Sequence, residues 1–369
     1  MERKLKIILS GGGTGGHIYP AVAVAEALQR RLGDGVDILF VGAEGKMEME
    51  KVPALGYRIE GLPVAGLQRR LTAANLLLPY KVIRSVAQAR RIVRRFGADA
   101  VVGFGGYASA PVLWSAQMMG VPTLIQEQNS YAGVTNKILG RRAKRICVAY
   151  DGMERFFPKE RIGLTGNPLR GHFGDRPSRE EALAHFNLAP DRPVVLVVGG
   201  SLGTRTLNNM MKANADRLIA ENRIQAIWQT GKYYQKEMDA FMAERNAPNI
   251  WHGPFIERMD LAYAAADVVV ARAGAGTVSE LCLVGRPTVF VPSPNVAEDH
   301  QTKNAMALVR QGAARMVADR EAVEGVFPVV AELLGDADQM ADMKRNMLKL
   351  GITDSADRVV NEILNVINR

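Results

Sequence analysis

A short apolar strand that runs straight into a glycine-rich loop and then a helix opens each half of this chain, the two openings about 190 residues apart. Leu5 to Leu9 leads into Gly11-Gly12-Gly13-Thr14-Gly15-Gly16-His17 and then Pro20-Ala21-Val22-Ala23-Val24-Ala25-Glu26-Ala27-Leu28. Val194-Val195-Leu196-Val197-Val198 leads into Gly199-Gly200-Ser201-Leu202-Gly203-Thr204-Arg205 and a second helical pattern. Strands that are apolar throughout are buried on both faces, which a sheet achieves only with helices on each side. Further apolar runs at Val36–Val41, Ala100–Val102, Thr123–Gln126, Arg145–Ala149, Ile224–Gln229, Val268–Ala271 and Thr288–Val291 read as strands. Ala21–Leu32, Leu78–Arg95 and Ala110–Met119 read as helices. The expected fold class is α/β, with two Rossmann-like parallel-sheet domains and a ligand against the carboxyl ends of both sheets. Proline breaks regular structure at Gly166-Asn167-Pro168-Leu169-Arg170, which marks the expected boundary.

A chain of 369 residues with 47% hydrophobic content suits two packed domains. No apolar run is long enough to cross a bilayer as a helix. Met1-Glu2-Arg3-Lys4 enters a strand with no apolar leader stretch, and Cys147 and Cys282 lie far apart. The expectation is a protein of the reducing cytoplasm with free thiols. The net charge of +9 is unevenly placed. Residues 1–165 hold 24 Lys and Arg against 13 Asp and Glu, whereas residues 166–369 hold 23 against 25. The first half is therefore expected to meet an anionic partner or surface.

Glycine lets backbone N–H groups approach an anion, and a helix start adds its unpaired amides and positive dipole. The first loop matches a dinucleotide-binding pattern at Gly11, Gly13 and Gly16. That pattern also wants an acid after the second strand, and there only Glu44 stands near, poorly placed. Gly103-Phe104-Gly105-Gly106-Tyr107 repeats the strand–loop–helix arrangement in the same half. Either loop taken singly is explained by tight strand–helix packing. Together they suit a diphosphate, held by Gly13, Gly105, Gly106 and Tyr107. Gln126-Glu127-Gln128-Asn129-Ser130 places amides and a carboxylate at a strand end, where they suit sugar hydroxyls, although turn chemistry accounts for Asn129-Ser130 equally well. In the second half, Arg272-Ala273-Gly274-Ala275-Gly276-Thr277-Val278-Ser279-Glu280 follows a buried strand and starts a helix. Its small residues admit a phosphate, and Glu280, one turn in, is placed to chelate a ribose diol; its bland reading is a capping carboxylate.

Taken together and in order, these segments resemble the MurG family, the UDP-N-acetylglucosamine:undecaprenyl-pyrophosphoryl-MurNAc-pentapeptide glycosyltransferases of bacterial peptidoglycan synthesis. The resemblance spans the chain. It rests on Gly-Gly-Thr-Gly-Gly-His, Gly-Gly-Tyr near 106, Glu-Gln-Asn near 128, Gly-Asn-Pro-x-Arg near 169, Gly-Gly-Ser near 200 and Gly-x-Gly-Thr-Val-Ser-Glu. It implies a GT-B fold whose two domains face each other across a cleft. An acceptor-binding, membrane-associating domain would span 1–165, a UDP-GlcNAc-binding domain 166–350, and 351–369 would carry a helix returning to the first domain. It implies an inverting transfer of GlcNAc to the MurNAc 4-hydroxyl of lipid I, with UDP released and lipid II formed. The partners implied are UDP-GlcNAc, the lipid acceptor and an anionic membrane surface, with no nucleic acid. The setting implied is the cytoplasmic face of the bacterial inner membrane, with peripheral attachment.

By resemblance, donor contacts fall on Thr14, Gly15, Gly16, Asn129, Arg170, Ser201, Ile256, Ala275, Gly276, Thr277, Val278, Ser279, Glu280 and Gln301. Where many relatives carry two adjacent glutamines, this chain has His300-Gln301-Thr302. His17 is the candidate general base, because an imidazole near neutral pH suits removal of a sugar hydroxyl proton; the other role open to it is orienting the loop or binding the acceptor diphosphate. No carboxylate pair of metal-binding character stands beside these loops, so no cofactor or metal is expected. Arg69 and Arg70, with Leu76, Leu77 and Leu78, join cations to an apolar patch suited to an anionic leaflet. Alternatives are a related glycosyltransferase with another lipid acceptor, or a non-catalytic nucleotide-sugar-binding protein.

Overall fold

The computed structural model describes residues 3–64, 78–169, 177–200 and 202–368, with the side chains of 78–80 and 297 left outside that description. The chain divides into two compact units. One is Met1–Arg170 with Asp354–Arg369, and the other is Gly171–Thr353.

In the first unit, β1 (Leu5–Ser10), α1 (Gly15–Leu32), β2 (Val36–Ala43), α2 (Glu48–Ala54), β3 (Ile59–Leu62) and α3 (Leu78–Phe96) are followed by β4 (Ala100–Gly103) and α4 (Ser109–Met118). Then come β5 (Thr123–Glu127), α5 (Val134–Gly140), β6 (Arg145–Val148) and β7 (Ile162–Leu164). The seven strands order as β3-β2-β1-β4-β5-β6-β7, all parallel. Strand alternation sorts the core into two layers. Ile7 and Leu9 join α1 on one face, whereas Ile8 joins α3 and α4 on the other. The edge strands β3 and β7 are short and only partly buried, so the apolar signal that marks the central strands is missing from them. Helix α1 starts at Gly15, ahead of the expected Ala21, because glycines that read as loop already hold helical geometry.

In the second unit, α6 (Arg179–His185), β8 (Val194–Val198), α7 (Arg205–Glu221), β9 (Gln225–Gln229), α8 (Gln235–Ala243), β10 (Ile250–Gly253) and α9 (Met259–Ala265) come first. They are followed by β11 (Val268–Ala271), α10 (Ala275–Val284), β12 (Thr288–Phe290), α11 (His300–Val309), β13 (Arg315–Met316), α12 (Ala322–Leu334) and α13 (Ala337–Leu350). The strand order β10-β9-β8-β11-β12-β13 repeats the winding of the first unit. Trp228, Phe327 and Met347 are among the residues it buries fully.

The chain then returns to the first unit as α14 (Ser355–Ile367). Val359, Val360 and Ile363 join the α1 side of the first core. Arg145 on β6 donates through Nε and Nη2 to the two Glu362 carboxylate oxygens at 2.7 and 2.8 Å. This fork matches the carboxylate geometry and is mostly shielded from solvent. Glu362→Ala is expected to weaken α14 docking by about 1.5–3 kcal/mol, the range for hydrogen bonds to charged groups. A thermal melt followed by circular dichroism should show the first transition several degrees lower, and an unchanged melt would refute the expectation.

Candidate active site

In an open α/β sheet the ligand crevice lies beyond the carboxyl ends of the strands where the order reverses. Those places are β1/β4 in the first unit and β8/β11 in the second. The glycine loops singled out in the sequence follow these four strands.

In the first unit the β1 and β4 loops touch backbone to backbone. Ser10 O accepts from Phe104 N at 2.8 Å and from Ser109 Oγ at 3.1 Å. Gly106 (φ +84°) lies so close to Gly12 that an added Cβ would come 2.3 Å from the Gly12 carbonyl oxygen. Gly105 (φ +94°) supports the His17 ring, where an added Cβ would lie 2.9 Å from Nε2. Tyr107 stands beside this loop, 53% exposed.

His17 Nδ1 is 2.9 Å from the Gly12 carbonyl oxygen and 3.3 Å from Thr14 Oγ1. A carbonyl can only accept, so Nδ1 carries the proton in the neutral ring and Nε2 holds the lone pair. Gly13 does not present its amide to a diphosphate as expected. Its N–H donates instead to Glu48 Oε2 at 2.9 Å, while Glu48 Oε1 accepts from Ala43 N at 3.0 Å. The acid that reaches the glycine loop is thus Glu48, not Glu44. Glu44 packs against Gly61, on β3.

The Gln126–Ser130 segment also differs from its reading as a sugar-facing array. Gln126, Glu127 and Gln128 are buried. Gln128 Nε2 donates to Phe104 O and to Gln126 Oε1, both at 2.7 Å. Asn167 Nδ2 donates to Gln128 O at 3.0 Å, so the Gly-Asn-Pro segment closes the same network. Glu127 accepts from Asn129 N and Nδ2, Gly133 N and Asn136 Nδ2. Desolvation raises the Glu127 carboxyl above its usual range, and these four bonds oppose the rise. The amides and the carboxylate are scaffold; they aim Asn129, which is only partly buried.

In the second unit, Gly274 is the extended residue ahead of α10, whose N-terminal turn is Ala275, Gly276 and Thr277. Val278 is buried, so only its backbone can face a ligand, and the same holds for Ile256. Glu280 accepts from Tyr263 Oη at 3.2 Å. Desolvation raises its carboxyl, partly offset by this bond, and burial raises the Tyr263 phenol as well. The β8 loop is braced from below, where Gly203 (φ +84°) lies back to back with Gly231 (φ +83°). Gln301 Oε1 accepts from Ser293 N at 2.9 Å, which ties α11 to the β12 loop. The turn before α11 holds Glu298 (φ 55°) and Asp299 (φ 51°) in the left-handed region, where non-glycine residues are strained. Arg272 donates to Val291 O and Pro292 O and pairs with Asp319, a structural role for a cation that sits within the nucleotide-type loop.

Arg170, Ser201, Arg69, Arg70, Leu76 and Leu77 lie outside the described residues, as does the side chain of Leu78. Among the described residues no group of three or more His, Cys, Asp or Glu is placed to hold a metal ion. Glu48 and Tyr263 carry no sequence signal, because each meets a partner distant along the chain, whereas Glu127 braces near neighbours and only its burial shows that role.

Residues 7–148 match the glycosyltransferase family 28 N-terminal domain, and residues 194–359 match its C-terminal domain. A UDP-N-acetylglucosamine–N-acetylmuramyl-(pentapeptide) pyrophosphoryl-undecaprenol N-acetylglucosamine transferase of Parabacteroides distasonis is 50% identical over 368 residues, covering 100% of both chains. The protein of the same name from Bacteroides thetaiotaomicron is 52% identical over 366 residues, covering 99% of this chain and 98% of its own. The crystal structure of Acinetobacter baumannii MurG superposes with a TM-score of 0.79 at 30% identity, covering 98% of this chain and 99% of that one. The chain belongs to glycosyltransferase family 28 and, within it, to the MurG family.

Proposed function

We propose that this family 28 glycosyltransferase moves GlcNAc from UDP-GlcNAc to the MurNAc 4-hydroxyl of undecaprenyl-pyrophosphoryl-MurNAc-pentapeptide, forming a β-1,4 bond and releasing UDP. The observation that carries the reading is the match to transferases of that name at about half identity along the whole chain. The chemistry is assigned to residues as follows. His17, protonated on Nδ1, takes the acceptor hydroxyl proton on Nε2 as the oxygen attacks the anomeric carbon. The anomeric C–O bond to the diphosphate breaks on the opposite face, which inverts the centre. The electron pair leaves with UDP, whose growing charge meets the amides at the start of α10 and the Arg170 guanidinium. Glu280 takes the ribose diol, Ile256 offers backbone groups to uracil, and Asn129, Gln301, Thr14, Gly15 and Gly16 line the sugar.

Turnover is the direct test. Purified protein given UDP-GlcNAc and a lipid I analogue should release UDP in step with disaccharide formation. Release with a different lipid acceptor only would favour a related transferase. Donor binding without any release would favour a non-catalytic nucleotide-sugar-binding protein.

The same reading places the first unit on the anionic cytoplasmic leaflet that carries the lipid acceptor. No helix among the described residues is long and apolar enough to cross a membrane. Trp114 and Met118 on α4 are exposed, and the Arg142 guanidinium lies 5.9 Å from the Trp114 ring centroid. Val82 and Ile83 on α3 are exposed as well. A cation over an amphipathic aromatic suits the headgroup layer. A Trp114→Ala, Arg142→Ala double variant should lower partitioning onto phosphatidylglycerol vesicles about tenfold, from one cation and one ring. Equal co-sedimentation of the variant and the parent protein at low salt would count against this surface.

A further inference from the structure

We propose that Glu48 is a positioning residue that holds the His17 ring in its working tautomer through a single peptide unit, the one joining Gly12 to Gly13. The inference rests on the assignment of His17 as the base and adds a third group to it.

The Gly13 N–H and the Gly12 C=O belong to one planar peptide, so they point in opposite directions and move together. The N–H end donates to Glu48 Oε2 at 2.9 Å, and the C=O end faces His17 Nδ1 at 2.9 Å. The order is carboxylate, peptide, imidazole. A charged acceptor at one end of an amide polarises it and makes its carbonyl a stronger acceptor at the other end. That favours a proton on Nδ1, leaves the lone pair on Nε2, and stabilises the imidazolium formed when Nε2 takes the hydroxyl proton. A carboxylate bonded directly to the base would do the same work; here a backbone amide stands between them.

The molecule makes room for this arrangement. Glu48 is 0% exposed, and its other oxygen is held by Ala43 N at 3.0 Å, at the end of β2. An added Cβ on Gly12 would fall 2.0 Å from Oε1, and one on Gly42 would fall 2.5 Å from Cγ. The carboxylate therefore fills the space beneath two glycines, and Gly13 (φ +82°) takes the left-handed geometry that turns its amide inward. The glycine loop already has an anion, and that anion is internal.

The test compares Glu48→Gln with Gly42→Ala. The first keeps the side-chain length but removes the charge and sets an NH2 group against one of two N–H donors. The second displaces the carboxylate from the β2 side without touching the loop. Both are expected to lower kcat about 10- to 100-fold, part of what a general base contributes. The affinity for UDP should stay within about twofold, because the nucleotide contacts are assigned to the second unit. The double variant should be little worse than Glu48→Gln alone, since both changes remove one interaction. Nitrogen-15 spectra of the imidazoles, with the His17 signals assigned by a His17→Asn variant, give a readout that needs no turnover. The parent protein should show a protonated Nδ1, and Glu48→Gln a mixture of tautomers. Unaltered His17 nitrogen shifts in Glu48→Gln would overturn the proposal whatever the rate. So would a loss of UDP affinity that matches the fall in kcat, which marks general disruption. A His17→Ala variant with full activity would remove the base assignment instead, while the spectra would still judge the role of Glu48.

Discussion

His17→Ala is expected to lower kcat by about 10²- to 10⁴-fold, the range for loss of a positioned general base. The affinity for UDP should not change, because the imidazole lies in the first unit and the nucleotide contacts are assigned to the second. The acceptor hydroxyl is a poor nucleophile until its proton has somewhere to go. The ring is held for that role by two features that do not depend on ligand. The Gly12 carbonyl accepts a hydrogen bond from Nδ1–H, and Gly105 leaves the space a side chain would fill beside Nε2. Steady-state rates with saturating acceptor, alongside UDP titration calorimetry, separate the two quantities. An unchanged kcat would assign His17 to loop orientation only, and a matching loss of UDP affinity would show that the ring serves binding rather than proton transfer.

Glu280→Ala is expected to raise KM for UDP-GlcNAc by about 10- to 100-fold, as hydrogen bonds from a ribose diol to a charged group contribute about 1.5–3 kcal/mol. Burial raises the Glu280 carboxyl above its usual range, so donor affinity should fall as pH drops through that raised value and the acceptor charge is lost. The sign for stability is the reverse. A carboxyl whose folded pKa is raised favours the fold below its unfolded value, and that contribution is lost as pH rises through the folded one. Glu280→Gln removes a charge from a desolvated, partly buried site and keeps an acceptor for the Tyr263 hydroxyl. It should therefore melt no earlier than the parent protein at neutral pH while still binding UDP more weakly. A Glu280→Gln protein with full UDP affinity would leave the carboxylate as the structural partner of the Tyr263 hydroxyl and nothing more.

The two buried carboxylates of the first unit show where reading by motif stops. Glu127 was visible as part of a polar run, yet its side chain faces inward and holds Asn129, Gly133 and Asn136 in place. Gln126 and Gln128, equally polar in sequence, are consumed by Phe104, Asn167 and each other. Only Asn129 of that run is left partly exposed. Glu48 carries no motif at all, and Glu44 stands nearer the second strand only along the chain, which is all that a linear pattern records. Val278 and Ile256 make the converse point. Their apolar side chains belong to the core, and any ligand contact has to come from the backbone.

What the chain determines locally is its sequence of strand, loop and helix. Uninterrupted apolar runs need burial on both faces, and glycine after such a run permits a backbone that other residues resist. Those two facts suffice for a pair of parallel sheets, for loops placed at their carboxyl ends, and for a histidine beside the first loop. Tertiary structure alone decides which acid meets which amide. Parallel winding brings the end of β2 beside the end of β1, so Glu48 and Gly13, 35 residues apart, share a hydrogen bond. A buried polar group must find its partner among whatever the packing brings near, and that choice follows distance in space, which a linear spacing does not contain.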